Sequence, residues 1–239
     1  MRTVLMRYPD GKAKAVTFSY DDGITQDLRL IRLFDKYGMK ATFNLNSGTF
    51  GTKGQLLVCG KPVEYNRVCA QDVKHIYEGH EVAAHTLHHI NLKEQPHDDI
   101  IKTEVEQDRL QLSELCGYEV VGMAYPGGSS CYDRRVVEIV RSQTGIQYAR
   151  GTRSTHSFDL PADLIDFCQT CSHSEPQLFE LGKRFLELDA DKPQLFYVFG
   201  HAYEFDAEDN WNMFEEFLEM MSRRDDICYC TNREALLGD

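Results

Sequence analysis

Apolar residues in this chain gather in short runs that end on polar or small side chains. "AVTFSY" (15–20), "ATFNLN" (41–46), "EVAAHT" (81–86), "VVGMAY" (120–125), "IQYAR" (146–150), "LIDFCQT" (164–170), "LFYVFGHA" (195–202) and "ICYC" (227–230) are rich in β-branched and aromatic residues. They are mostly continuous rather than alternating, the pattern of strands buried on both faces. Amphipathic segments lie between them. Residues 25–37 carry Leu28, Ile31, Leu33 and Phe34, and Gly38 follows as a C-cap. Residues 71–81 predict a shorter helix, and 98–115, 134–142, 177–188 and 208–221 complete the set. "GQLLVCGKPVEYNRV" (54–68) reads as a hairpin with its turn near Gly60 and Lys61.

Strand–helix alternation repeated this often predicts an α/β fold on a parallel sheet. About eight units in 239 residues fit a closed barrel near its usual size. An open doubly wound sheet is the alternative. No G-x-G-x-x-G follows the first strand and no P-loop is present, which removes the commonest nucleotide sites of the open fold. With no proline-rich linker, low-complexity tract or repeat, residues 1–239 are expected to form one domain.

In a parallel barrel the chemistry collects at the C-terminal ends of the strands. Those ends carry Asp21 and Asp22, Asn44 and Asn46, His85, the Tyr125-Pro126-Gly127-Gly128 stretch, Arg150 and His201. Each alone fits a satisfied structural group; their shared rim is the stronger signal. His85 and His89 in "AAHTLHH" are four apart, a spacing that on one turn of helix puts both imidazoles on one face. Many such pairs are merely solvated. A carboxylate from another strand end completes a two-His, one-Asp set with open positions for a catalytic divalent metal. One acid of the Asp21-Asp22 pair can then bind the ion while the other stays free beside it as a base. The cation offsets the repulsion between the two. Taken alone, Asp-Asp-Gly also fits a turn or a helix start. His88 falls outside the ligand set. His75, His80, His97, His156 and His173 lie off the rim and read as surface or satisfied histidines. Trp211, Phe214 and Phe217 read as the buried stripe of the last helix. Tyr125 and Tyr203 are the candidates for substrate contact.

Composition narrows the partners. Lys and Arg number 26 against 38 Asp and Glu, a formal net charge of −12. That balance argues against nucleic acid and against anionic lipid. No apolar run reaches the length of a membrane span. The start, "MRTVLMRYPDGKAKAV", has neither a long apolar h-region nor a small-residue cleavage site, so a cytoplasmic protein is expected. The eight cysteines are therefore expected to be free, buried thiols rather than a disulfide frame. Cys168-Gln-Thr-Cys171 has no second CxxC at zinc-finger spacing; Cys228-Tyr-Cys230 is a CxC. Nothing in the pattern reports the oligomeric state.

Taken together, "TFSYDDG", "KATFNLN", "GHEVAAHTLHH", "AYPGG" and "VFGH" resemble, in this order, the sequence segments of the polysaccharide deacetylases with NodB homology, carbohydrate esterase family 4. The resemblance covers nearly the whole chain. It implies a distorted (β/α) barrel of about seven parallel strands. It implies a divalent metal on Asp22, His85 and His89, zinc first, with Co²⁺, Ni²⁺ or Fe²⁺ as alternatives. Asp21 is then the catalytic base, His201 the general acid, and a backbone N–H near Gly127 a donor to the oxyanion. The implied reaction is hydrolysis of an N- or O-linked acetyl group on a sugar or small glycan. The same chemistry on a non-sugar amide or ureide is the alternative, and a carbohydrate-binding protein without turnover is a further one. A non-haem iron oxygenase fits the ligand set but leaves Asp21 and His201 without a role. The chain departs from the family pattern at Ala124, where an arginine usually orients the base. Arg150, one strand end along, is the candidate replacement, expected at hydrogen-bonding distance from Asp21. Ser19 and Tyr20 stand where Phe usually runs directly into the acids, and Val198 replaces a Leu.

Overall fold

The computed structural model describes residues 8–238; residues 1–7, part of the stretch behind the expectation of a leaderless chain, lie outside the described residues. Its centre is β1 (Lys14–Asp21), buried along its whole length. The strand's two faces carry different residues. Val16, Phe18 and Tyr20 point one way, into an apolar core with Phe34 and Phe214. Thr17, Ser19 and Asp21 alternate to the other side and join polar partners instead.

Seven parallel strands curl around β1 into a distorted (β/α) barrel. They are β2 (Ala41–Leu45), β5 (Glu81–Ala84), β6 (Gly122–Ala124), β7 (Tyr148–Arg150), β8 (Cys171–Ser172) and β9 (Gln194–Gly200) with β1 itself, ordered β7-β6-β5-β2-β1-β9-β8. β10 (Ile227–Tyr229) pairs with residues 14–16 of β1, below the stretch 18–21 that pairs with β2. Between β7 and β8 the wall is closed by irregular chain. Gly151 N donates to Phe167 O at 2.7 Å, Ala149 N to Leu164 O at 2.7 Å, and Thr170 N to Tyr197 O at 2.9 Å. The run "LIDFCQT", expected as a strand, is therefore a seam of single bridges, with only Cys171–Ser172 in regular pairing.

The helices cover the outside. α1 (Asp27–Tyr37) ends on Gly38 at φ 65°, and α3 (Asp98–Cys116) on Gly117 at φ 79°. α4 (Arg134–Gln143) is capped by Asp133, which accepts from Val136 N, and α5 (Leu178–Glu187) follows β8. Residues 71–81 form a helix only at α2 (Val73–Ile76), since Gly79 turns the chain at φ 84°. The helix expected over 208–221 is α7 (Trp211–Met221), three residues shorter at its start; α6 (Ala202–Glu208), which was not expected, precedes it and is separated from it where Asp209 takes φ 55°. The stripe Trp211, Phe214, Phe217 is buried as its spacing predicts. α8 (Asn232–Leu236) packs against β1, with Asn232 bonded to Thr17 and Tyr197. β3 (Gln55–Val58) and β4 (Lys61–Glu64) form the hairpin. Its two-residue loop is Cys59-Gly60, at φ 49° and 79°, one residue earlier than expected. All eight cysteines are free, but Cys59 and Cys69 are exposed rather than buried. Among the described residues no helix is long and apolar enough to cross a membrane.

Candidate metal and acid–base site

The two acids diverge because the chain turns sharply between them. β1 ends at Asp21; Asp22 then takes φ 88° and Gly23 φ 65°. Glycine is required there: a Cβ on Gly23 would stand 2.7 Å from Leu45 Cδ2. Asp21 stays on the barrel-interior face. Its Oδ1 accepts from Arg150 Nη2 at 2.5 Å and from Asn44 Nδ2 at 2.8 Å. Arg150 is fully buried, bonds Ser19 Oγ and Gly151 O, and lies 4.7 Å over the Phe199 ring. Ser19, one of the two unusual residues before the acids, thus helps hold the guanidinium.

Asp22 turns outward to meet two imidazoles. His85 Nε2 and His89 Nε2 lie 3.7 and 3.5 Å from its Oδ1. One ligand atom from each of Asp22, His85 and His89 falls within 4.8 Å of the others. The two histidines do not share a helical turn, as their spacing suggested. His85 directly follows β5 and its N–H continues the ladder to Leu45 O, while Thr86 at φ 67° and His89 at φ 55° forbid helix. The loop is set from outside by α3. Asp108 Oδ2 accepts from His85 N, Asp108 Oδ1 from Ser47 N and Oγ, and Glu104 holds His88 at both backbone N and Nδ1. Asn46 Nδ2 donates to the carbonyls of His85 and Thr86.

A divalent cation fits these residues. His85 Nδ1 lies 2.8 Å from Ala124 O, so it carries the proton and leaves Nε2 with a bare lone pair. Among the described residues, His85 Nε2 and Asp22 Oδ1 are buried with no hydrogen-bond partner. Two such acceptors facing each other are costly without a cation between them. The electrostatics agree. Burial alone would push the Asp22 carboxyl up, but His201, Arg67, His85 and His89 outweigh it and hold it at about 2. Burial lowers His85 to about 4, so it is neutral, as a ligand must be.

His201 follows β9 at the start of α6. Its Nδ1 lies 3.2 Å from Glu204 Oε1, and its backbone N donates to Glu204 Oε2. Burial opposes its charge, yet the Glu204 hydrogen bond and the Asp22, Glu204 and Asp21 charges raise it to about 9. Tyr203 is half-buried and stacks on His201 at 5.1 Å, with Tyr65 of the hairpin arm edge-on to it at 5.6 Å. Tyr125 does not line the site as a substrate contact: its side chain is fully buried, its hydroxyl donates to Ile165 O, and its ring stacks on Tyr132. Gly127 and Gly128 turn the chain at φ 67° and 75°, three and four residues past the Ala124 carbonyl that holds His85.

Four residues outside the sequence reading build this site. Arg67 donates to Asp22 O and Asn46 Oδ1, and its Nη1 stands 3.4 Å from Asp22 Oδ1. Glu104 and Asp108 shape the histidine loop, and Glu204 holds His201. Only Glu204 left a sequence signal, a glutamate at the third position after a helix-starting residue.

The model for the family described as polysaccharide deacetylase matches residues 8–149. No curated protein matches the chain. Among solved structures, a carbohydrate esterase family 4 pseudoenzyme from Bacillus anthracis is similar, with a TM-score of 0.56 and 18% identity, over 96% of this chain and 66% of that one. A family 4 carbohydrate esterase from Streptomyces lividans, in complex with acetate, is similar at a TM-score of 0.52 and 12% identity, over 91% and 92% of the two chains. A polysaccharide deacetylase from Bacillus cereus matches 63% of this chain at 18% identity and a TM-score of 0.49; the chain spans only 44% of its length.

Proposed function

The chain belongs to the polysaccharide deacetylase family, and from that premise we propose that it is a metal-dependent hydrolase removing an N- or O-linked acetyl group from a carbohydrate. A similar fold also occurs in a pseudoenzyme, so the reading rests on the site residues. The observation that carries it is the convergence of Asp22, His85 and His89, with two buried acceptor atoms facing one point and a second aspartate alongside. An ion held by these three residues, zinc foremost, would supply the Lewis-acid charge that polarises an acetyl carbonyl and makes water acidic near neutral pH.

The chain's own groups supply the rest. Asp21 is the base: Arg150 and Asn44 both engage its Oδ1, so Oδ2 takes the proton from the attacking water. His201 is the acid. With Nδ1 committed to Glu204, its Nε2 delivers the proton that an amine needs in order to leave. Gly127 is the proposed backbone donor to the oxyanion. Tyr203, stacked on His201, offers a face for a sugar ring. Acetate, which the Streptomyces lividans structure holds, is the product this reaction releases. The whole reaction is placed in one domain.

The test is acetate release from chitooligosaccharides and acetylated xylan. Chelation is expected to abolish it and zinc to restore it. Asp21→Asn is expected to bind zinc normally and lose at least about 10²-fold in kcat. Undiminished turnover after chelation, or in Asp21→Asn, would sink the reading.

A further inference from the structure

His173 lies off the rim and is entirely buried. Its Nδ1 is 3.1 Å from the Tyr20 hydroxyl, and its Nε2 is 3.2 Å from Glu204 Oε2. The ring is stacked between Phe205, at 4.1 Å and 20°, and Tyr20, at 5.5 Å and 13°. Gly200 makes room for it: a Cβ there would stand 1.9 Å from His173 Nδ1. Glu204 is therefore gripped from two sides, by His173 on Oε2 and by His201 on Oε1.

With a neutral His173 imidazole the hydrogens run in one direction. A carboxylate accepts and does not donate, so His173 Nε2 must carry hydrogen. Its Nδ1 is then an acceptor and takes the Tyr20 hydroxyl hydrogen. A tyrosine hydroxyl is a donor at neutral pH. The order is Tyr20 Oη–H to His173 Nδ1, His173 Nε2 in a 3.2 Å contact with Glu204 Oε2 rather than an aligned hydrogen bond, and His201 Nδ1–H to Glu204 Oε1.

We infer that His173 is a positioning residue: it fixes Glu204, and through it the imidazole of His201, so that Nε2 of His201 faces the leaving group. Tyr20 extends the chain to the residue immediately before Asp21. Tyr20 and Gly200 are partners across β1 and β9, so the same network sets the proposed base and the proposed acid in register. This accounts for the hydroxyl at position 20, where the family more often has Phe. The inference rests on the reading of His201 as proton donor.

The experiment compares two probes with the zinc-loaded enzyme. Diacetylchitobiose has an amine leaving group that needs a proton; para-nitrophenyl acetate has one that leaves without it. His173→Phe keeps the stack and removes the Tyr20 hydrogen bond and the Glu204 contact. It is expected to lower kcat on the amide by about 10- to 100-fold, the usual range for outer-shell partners, with KM and zinc affinity unchanged. The ester rate is expected to stay within about threefold, because the acid step is not needed there. His173→Gln, whose amide can accept from Tyr20 and donate to Glu204, is expected to recover most of the amide rate. Equal loss on both probes would mark His173 as merely structural, and no loss on the amide would remove its role; either overturns the inference. If His173→Phe does not fold, Tyr20→Phe replaces it, with the same selective loss expected and an unchanged amide rate overturning the proposal. A wild type inactive on both probes overturns the reading of the whole site instead. The imidazole ¹⁵N spectrum then decides the contact: His201 signals should move in His173→Phe and return in His173→Gln, and unmoved signals overturn it.

Discussion

Arg150 and Asp21 form an ion pair with almost no exposure on either side. Such a pair adds little net stability over an apolar substitute, but removing one partner strands the other charge in the interior. Arg150→Met is therefore expected to destabilise the fold by about 3–5 kcal/mol, read from urea unfolding. It should also lower kcat by at least about 10²-fold, since Asp21 loses its orienting donor. Arg150→Lys should fall between, because an ammonium cannot reach Asp21, Ser19 and Gly151 together in the guanidinium's geometry. A second buried acid gives a pH signature. Asp27 is fully buried, and burial pushes its carboxyl up to about 8 although Tyr77 and Ile24 donate to it. Between its unfolded value near 4 and about 8, the folded chain keeps a proton that the unfolded chain releases. Stability from this group is thus highest below about pH 4 and falls as pH rises to 8. Asp27→Asn should flatten that fall, so that the wild-type-minus-variant difference in urea midpoint rises from pH 8 to pH 5; a constant difference would show that Asp27 ionises normally. At this scale the sequence was readable where chemistry follows strand order. Asp21, Asp22, His85, His201 and Arg150 sit at strand ends, and the rim could be listed without knowing the packing. Arg67 and His173 act through contacts between elements distant in sequence or through a buried side, which no local pattern encodes, and Glu204 left only its spacing from His201.

α3 works as a splint for the site as well as a cover for the barrel. Its inward face buries Ile101, Val105 and Leu112, and beside them Glu104 and Asp108. The two carboxyls replace the hydrogen bonds that the histidine loop forgoes by not being helical. Asp108→Ala is expected to leave Ser47 N without its acceptor, at about 1–3 kcal/mol, and to leave His85 N with Leu45 O alone. Zinc affinity should weaken by about 10- to 100-fold as the His85 loop loosens, measured by competition with a chromophoric chelator. Unchanged affinity would mean that the strand and Asn46 hold His85 without help. The helix was predicted within a residue at its end from its amphipathic pattern, and Gly117 caps it. Its two functional residues were hidden because acids on an amphipathic helix look solvated until the partner loop is known. α6 lay outside the expected helices altogether, and the turn at Asp209 that separates it from α7 carries no proline or glycine to mark it.

For the molecule as a whole, the barrel's closure is uneven. β1 is laddered to β9 through seven register pairs and to β2 through four, whereas the wall between β7 and β8 hangs on one isolated bridge, Arg150 with Phe167, and single hydrogen bonds around residues 164–170. Local opening follows the weakest hydrogen-bonded boundary, so amide exchange should be faster over 164–170 than over β1 and β2. Protection there equal to that of β1 would refute this. The curled architecture and its parallel strands were legible in the alternation of elements; the seam was not, because "LIDFCQT" has strand composition and fails only through its pairing. The location of the weak boundary has a kinetic consequence. Arg150 belongs to β7 and His173 follows β8, one on each side of the seam, whereas Asp22, His85 and His89 hang from β1 and β5 on the opposite wall. A transient breathing of the seam would release the props of the base and the acid together while the metal ligands stay assembled. Mild heat or denaturant should therefore produce a species that has lost turnover but still retains zinc, and that recovers activity on cooling without added metal.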